Sequence, residues 1–444
     1  MKFGGDSAAL VDVYSAHVAW LHEAYDHVLS SCALDAIVIH SGSLKRRTEF
    51  DDQDWPLRPT PHFMHWLAWP EPECALVIEP GRRARLARLA QESFWEAPVT
   101  AESEHFWPLF DVEIASSHEA LRAMLPKTRV GFVGENVARG EQWGMPRESC
   151  NAPTLLSALD ALRTKKTPYE VMCLAEANRR AALGHDTLRG AFEAGDASEL
   201  ELHLLYLRAT SQDDPETPYK NIVALGEHAA TLHHVGYQKT QSGGASLLVD
   251  AGATCLGYAS DVTRTWVKNK SESARVFQGL IERMEQMQKE LVLAIETGSR
   301  YEALHERSHH GVAEILRDAG IVKASADEID GQGISRAFYP HGLGHSLGLQ
   351  CHDVGCALSK PKANNPFLRN TSIIESGQVF TIEPGLYFIP ALLEPLRGKV
   401  DIDWTLIEAL RPFGGIRIED DVFVSERGVR NLTREVLPLG GGAV

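Results

Sequence analysis

The stretch ASLLVDAGATCLGYASDVTRT, residues 245–265, carries two aspartates eleven positions apart, Asp250 and Asp261. Leu247, Leu248 and Val249 form an apolar run ending on Asp250, Gly252 and Gly257 punctuate the next segment, and SDVTRTWV resumes with β-branched and aromatic residues. That is the pattern of a β-hairpin. A turn centred between Cys255 and Leu256 sets Asp250 opposite Asp261, with Cβ atoms roughly 4.5–5.5 Å apart. Two ionised carboxylates held that close repel one another unless protons or cations lie between them. The hairpin therefore points to a bound cation and away from a purely structural role.

The second half of the chain supplies matching groups. In QVFTIEPG, Val379, Thr381 and Glu383 share one strand face, and Pro384-Gly385 interrupts the strand just after the carboxylate. In GGIRIEDDVFV, period-two alternation turns Ile416 and Ile418 to one face and Arg417 and Glu419 to the other. The apolar pair faces a core and the charged pair a cavity. Between them HGLGHSLGLQCHD holds His341, His345 and His352 among Gly342, Gly344 and Gly348, where glycine lets backbone approach a ligand or another segment. Four carboxylates and one imidazole are a hard donor set, suited to Mn, Mg, Co or Zn and not to Cu(I) or an iron–sulfur cluster. Two such ions about 3.5–4 Å apart, bridged by carboxylates, would polarise a scissile carbonyl and acidify a shared water. The expected chemistry is hydrolysis.

In their order, VDAGA, SDVTRT, HGLGHSLGLQCHD, TIEPG and GGIRIEDD resemble the motifs of the pita-bread metallopeptidases, the family of methionine aminopeptidase, aminopeptidase P and prolidase. The likeness is greatest to bacterial prolidases, Xaa-Pro dipeptidases also described as organophosphorus acid anhydrolases. It spans about Thr167 to Leu439 and extends more weakly to HSGSLKRRTEFDDQDWPLRPTPHFMHWLAW near the N-terminus. The resemblance implies two divalent ions per subunit, with manganese first among Mn2+, Mg2+, Co2+ and Zn2+. Asp250 would hold one ion, Asp261 and Glu419 would bridge both, and His345 and Glu383 would complete the other ion's shell. Glu383 would also shuttle the proton. His233 and His352 would stabilise the oxyanion or the leaving group. Tyr219, Leu232, Tyr301 and His341 match substrate-pocket positions, and Arg417 would orient the bridging carboxylates from behind.

The implied activity is hydrolysis of Xaa-Pro dipeptides, with phosphotriester hydrolysis as a side activity. Aminopeptidase P-like cleavage of longer Xaa-Pro peptides and a non-catalytic, peptide-binding pita-bread protein are the alternatives. Asp52, in FDDQDW, would cap the substrate amine across the interface of a homodimer. One position departs from the prolidase pattern: the arginine expected eleven residues before the TIEPG glutamate is Ser372, with Arg369 three positions earlier as a substitute. A charge-assisted contact worth roughly 1.5–3 kcal/mol hangs on that position.

At 444 residues the chain is expected to form two domains, an α/β N-terminal domain over 1–160 and an α+β catalytic domain over 161–444 with a curved, mostly antiparallel sheet. Helices are predicted for 8–29, RRARLARLAQESF, SHEALRAML, 198–211, 271–297 and 301–319, with strands at DAIVIHSG, CALVIEP, VGFVGEN, NIVALG and SLLVD. The Gly-rich tail at 440–442 is expected to fray. A formal charge of −16 argues against nucleic acid or an anionic membrane as a partner. Seven scattered cysteines without a C-x-x-C pair read as reduced thiols of a cytoplasmic protein. Cys351 and Cys356, which flank His352, read as small packing residues. Aspartates near the N-terminus are incompatible with a signal peptide, and no apolar run is long enough to span a membrane.

Overall fold

The computed structural model describes residues 7–89, 104–195, 197–240, 243–268, 270–357 and 359–443. The chain divides into two compact units, residues 2–172 and 173–444.

In the first unit, helix α1 (Ser7–Ser31) precedes a sheet of five strands: β1 (Ala36–His40), β2 (Ala75–Ile78), β3 (Arg85–Leu89), β4 (Asp111–Ala115) and β5 (Val130–Val133). Their order is β4-β3-β2-β1-β5. The β1–β5 and β3–β4 pairs run parallel and the other two antiparallel. Strands β1, β2 and β5 are buried at every position, which is why they read as unbroken apolar runs. Helix α2 (His118–Met124) starts where the Ser117 side chain caps the Ala120 N–H at 3.1 Å.

The segment RRARLARLAQESF departs from its predicted helix. Residues 85–89 form β3 instead, and residues 90–94 lie outside the described residues. The cause is tertiary: β2 and β4 pair with both edges of β3, and Leu86 and Ala87 are fully buried, so sheet pairing overrides a local helical pattern. Its arginines are individually paired, Arg85 to Glu113 at 3.0 Å and Arg88 to Glu71 at 2.6 Å.

His17 of α1 is buried. One ring nitrogen lies 2.9 Å from Thr167 Oγ1, and the other donates to the His65 carbonyl at 2.8 Å. Burial lowers its pKa to about 4, against the attraction of Glu170. The unfolded chain therefore takes up a proton at higher pH than the folded one. The neutral imidazole costs nothing above about pH 6.5, and stability falls by roughly 1.4 kcal/mol per pH unit as the pH drops from there toward 4. Urea unfolding between pH 7 and 4 is expected to be flatter in His17→Gln than in the parent chain; parallel profiles would assign the acid sensitivity elsewhere.

The second unit begins within α4. Helix α3 (Pro153–Leu162) closes the preceding segment, and α4 (Pro168–Ala194) starts on Pro168, whose missing N–H is no loss at a helix start. Helices α5 (Glu199–Thr210), α6 (Glu272–Leu293) and α7 (Tyr301–Asp318) follow near their predicted ranges. The strands of three residues or more are β6 (Ile222–Leu225), β7 (Ser246–Asp250), β8 (Thr263–Val267), β9 (Val379–Ile382), β10 (Gly385–Tyr387), β11 (Gly415–Arg417), β12 (Asp420–Ser425), β13 (Gly428–Asn431) and β14 (Gly441–Ala443). They form sheets ordered β14-β8-β7-β6 and β9-β12-β13 and the pair β10-β11, antiparallel except for β8 with β14. Phe277, Ile281 and Met284 of α6 and Val312 and Leu316 of α7 pack with Ile382, Ile416 and Ile418 in one core.

Two further expectations differ from the structure. The hairpin register is shifted: Asp250 pairs with Thr263, not with Asp261. The turn residues are Leu256 and Gly257, both with positive φ (48° and 87°), a tight two-residue connection between Cys255 and Tyr258 that moves the turn centre by one residue. Asp261 precedes Thr263 by two positions, so the two aspartates still share a face, diagonally. The glycine tail is also ordered as β14. A Cβ on Gly441 would sit 1.9 Å from the Thr265 carbonyl oxygen, so only glycine permits this strand to lie against β8.

Candidate metal centre

The ends of β7, β8, β9 and β11 bring the proposed ligands together. Thr263, which faces Asp250 across the hairpin, donates from Oγ1 to Glu419 Oε2 at 2.7 Å and accepts from Arg417 Nε at 3.2 Å. Arg417 also donates to Asp250 Oδ2 at 2.5 Å and to the Tyr387 hydroxyl at 2.9 Å. That hydroxyl lies 2.9 Å from His341 Nε2. Behind Asp261, the backbone N–H donates to Asp421 Oδ2 at 3.0 Å, which also accepts from Asn178 Nδ2 at 2.8 Å.

His345 and Glu383 are set side by side by backbone pairing. Thr381 N–H donates to the His345 carbonyl at 2.9 Å, and Glu383 N–H to the Leu343 carbonyl at 2.8 Å. Gly344 makes this possible, since a Cβ there would lie 2.3 Å from the Thr381 carbonyl oxygen. The His345 Nδ1 hydrogen-bonds to the Ser346 carbonyl at 3.0 Å, which fixes the proton there and leaves Nε2 facing Asp261 Oδ2 at 3.4 Å and Glu383 Oε1 at 3.7 Å.

The electrostatics are those of a cluster built around positive charge. Burial, followed by the charges of Asp261 and Glu383, pushes Glu419 well above the usual carboxylate range, and burial raises Asp250 and Glu383 as well. Burial would also raise Asp261, but the His345 ring beside it outweighs that and holds it low. His345 is raised to about 9 because Asp261 and Glu383 overcome the effect of burial. Asp261, His345 and Glu419 are all buried and offer ligand atoms within 4.8 Å of one another. Asp250 Oδ1 is buried with no hydrogen-bond partner among the described residues. Four crowded carboxylates, one imidazole and an unengaged carboxylate oxygen fit divalent cations of the hard or borderline kind.

The cluster opens into a cavity of about 820 Å³. Tyr219, Leu232, His233, His341 and His352 all line it. The His352 ring stands edge-on to His345, with centroids 4.4 Å apart. Tyr301 is not brought to the cavity: it is fully buried, its hydroxyl donates to the Thr381 carbonyl at 2.7 Å, and its ring packs on Phe380. It braces the strand behind the site. Asp52 belongs to the first unit and is exposed between the short strands Lys45–Arg46 and Asp54–Trp55. Ser372 is buried, its hydroxyl donating to Asn370 Oδ1 at 2.7 Å, whereas Arg369 lines the cavity. The cation sits three residues before the expected position.

Several functional neighbours escape the sequence reading. Thr263, Tyr387 and Asp421 have no charge pattern or periodicity that would single them out. Glu199 is another, fully buried at the start of α5. It accepts from the Leu225 and Gln238 N–H groups at 2.9 and 2.7 Å and pairs with His228 Nδ1 at 2.7 Å and His234 Nε2 at 2.8 Å. Those four bonds hang the 226–238 loop, which carries Leu232 and His233, on one carboxylate. Glu199→Ala is expected to lower unfolding free energy by about 3 kcal/mol, the scale for stripping a buried charge from its donors. Urea unfolding measures this, and a loss below about 0.5 kcal/mol, the scale of a surface substitution, would show that the loop is held by other contacts.

These residues define a metallohydrolase site, and the comparisons agree: residues 172–426 match the model of metallopeptidase family M24, and the chain belongs to that family. Residues 12–160 match the N-terminal domain of Xaa-Pro dipeptidase. The chain is 38% identical over 440 residues to the Xaa-Pro dipeptidase of Aeromonas hydrophila, covering 95% of this chain and 98% of that one. It is 39% identical over 439 residues to the Xaa-Pro dipeptidase of Shewanella putrefaciens, with the same coverage, 95% and 98%. In fold it is similar to the Pseudomonas aeruginosa aminopeptidase PepP, with a TM-score of 0.72 at 22% identity over 96% of this chain and 95% of that one. Zn-substituted Escherichia coli aminopeptidase P gives 0.69 at 22% identity over 94% and 95%. The architecture is therefore an N-terminal domain followed by a pita-bread catalytic domain, and the chain is a metallopeptidase whose family implies divalent metal ions. No helix among the described residues is long and apolar enough to cross a membrane.

Proposed function

We propose that this chain hydrolyses Xaa-Pro dipeptides. The observation that carries this reading is the cavity itself, in which the carboxylate–histidine cluster shares a wall with Arg369. Lys220 on the same wall is bound to Asp214 and Arg417 to Asp250, whereas Arg369 has no hydrogen bond or ion pair among the described residues. A free guanidinium on the wall of a peptide-sized cavity suits the C-terminal carboxylate of a dipeptide. The near full-length likeness to Xaa-Pro dipeptidases supports the same substrate.

In this reading Asp250, Asp261, His345, Glu383 and Glu419 hold two divalent ions, manganese being the favoured metal because oxygen donors dominate. The chemistry such ions supply is polarisation of the scissile carbonyl and acidification of water. Glu383 accepts the proton released by the attacking water and passes it to the departing proline nitrogen. His352 and His233, on the cavity wall, donate to the developing oxyanion or to the leaving group. Tyr387 and Thr263 keep Arg417 and Glu419 in register with Asp250. A tetrahedral phosphorus centre resembles the transition state of peptide hydrolysis, so slow phosphotriester hydrolysis is proposed as a side activity. Seven free cysteines support a reducing, cytoplasmic setting. By the resemblance to prolidases, Asp52, which is exposed, is proposed to cap the substrate amine of the other subunit of a homodimer.

The test uses Xaa-Pro dipeptides beside Xaa-Pro-Xaa tripeptides, with chelator-stripped protein before and after adding Mn2+. Metal-dependent cleavage confined to dipeptides is expected. Equal cleavage of tripeptides would move the assignment to aminopeptidase P-like activity, and cleavage of neither by metal-loaded protein would leave the binding-protein alternative.

A further inference from the structure

Cys351 does not behave as a packing residue. Its thiol lies on the cavity wall and donates to Asp261 Oδ2 at 3.0 Å, the same oxygen that faces His345 Nε2 at 3.4 Å. Cys351, His345 and His352 offer ligand atoms within 4.8 Å of one another, as do Asp261, His345 and Glu419. The two triads share His345. A hard site of carboxylates thus adjoins a softer one of sulfur and nitrogen, and Asp261 touches both. Cys356, five residues on, is buried and donates to the Asp353 carbonyl instead.

We propose that Cys351 is a soft, metal-selective ligand of this centre, engaged by thiophilic ions such as Zn2+ or Cd2+ and left as a protonated thiol by Mn2+. The inference rests on the dinuclear reading of the metal centre. The geometry suits it: an ion about 2.3 Å from sulfur and about 2.1 Å from a carboxylate oxygen puts those atoms roughly 3.1 Å apart at a right angle and 3.6 Å at a tetrahedral one. The Sγ to Oδ2 separation of 3.0 Å needs only a small outward movement of the side chain to reach that range. On binding, the S–H bond breaks, a sulfur–metal bond forms, and the proton leaves to solvent through the open cavity. Mn2+ prefers oxygen donors and gains little from the thiolate, so the thiol keeps its hydrogen bond to Asp261. This gives the centre a means of telling borderline and soft ions from hard ones that the carboxylates alone lack.

The experiment loads the chelator-stripped full chain with Cd2+, measures bound metal by elemental analysis, and records thiolate-to-cadmium charge transfer in the ultraviolet. The band is expected in the parent chain and in Cys356→Ser and absent in Cys351→Ser. A second measurement needs no variant: alkylation of Cys351 by iodoacetamide at alkaline pH, where part of the uncoordinated thiol ionises, followed by peptide mass spectrometry, is expected to be at least about tenfold slower in Cd2+-loaded than in Mn2+-loaded protein, since only a free thiolate reacts. Full Cd2+ occupancy without the band, a band that survives in Cys351→Ser, or equal alkylation under the two metals would each overturn the proposal while leaving the metal centre standing. If the parent chain takes up neither Cd2+ nor Mn2+, the metal-centre reading falls as well.

Discussion

Glu383→Gln is expected to lower kcat on an Xaa-Pro dipeptide by about 10²–10⁴-fold, the range for loss of a positioned general acid–base. The carboxylate stands 3.7 Å from His345 Nε2 and lines the cavity, and burial lifts its pKa above the ordinary value, toward the range of a group that both takes and gives a proton near neutrality. Glutamine keeps the shape and one ligating oxygen but can carry no proton. The loss should therefore fall on kcat more than on KM. A variant that keeps its metal content and loses less than about tenfold in kcat would remove Glu383 from the proton path.

Arg369→Ala is expected to reduce kcat/KM for Xaa-Pro dipeptides by about 10- to 150-fold, the equivalent of roughly 1.5–3 kcal/mol for a charge-assisted contact to a carboxylate. Dipeptide amides, which lack the carboxylate, should be affected little, so the ratio of acid to amide cleavage reads the contact directly. Arg369→Lys should recover part of the loss, since a lysine keeps the charge but not the paired donors. An equal fall for acids and amides would assign Arg369 a structural role. Ser372→Arg provides the complementary measurement. The Ser372 side chain is buried and bound to Asn370, so a bulkier cation there is expected to destabilise the segment and bring no gain in affinity.

Much of the centre was legible because Asp250 ends β7 and Glu383 and Glu419 stand just beyond β9 and β11, where strand alternation still decides which way a side chain points. Ile416 and Ile418 go to the core and Arg417 and Glu419 to the site, as period two requires. The hairpin was legible as a hairpin but not in register. The deciding element is a Leu256-Gly257 turn with positive φ at both residues, and leucine gives no warning of that conformation. Arg85–Leu89 looked helical because its apolar spacing is ambiguous over so few residues, and its two strand neighbours settled the matter. The glycines at 440–442 suggested fraying, yet it is the absence of a side chain that lets Gly441 approach Thr265. Thr263, Tyr387, Asp421 and Glu199 serve the site through hydrogen bonds to distant segments. Contacts of that kind follow from tertiary placement alone, whereas the ligands themselves carry a sequence pattern.

The most direct measurement is a titration of chelator-stripped protein with Mn2+, following bound metal by elemental analysis and Xaa-Pro dipeptide hydrolysis in the same samples, with Asp261→Asn alongside. Asp261 is the residue whose carboxylate faces His345, and in the proposed centre it would serve both ions. Activity is expected to be absent without metal, to rise with occupancy to two ions per chain, and to remain absent in Asp261→Asn, which should bind fewer ions. Full activity in the stripped protein, or an Asp261→Asn variant with unchanged metal content and turnover, would contradict a carboxylate-bridged dinuclear centre.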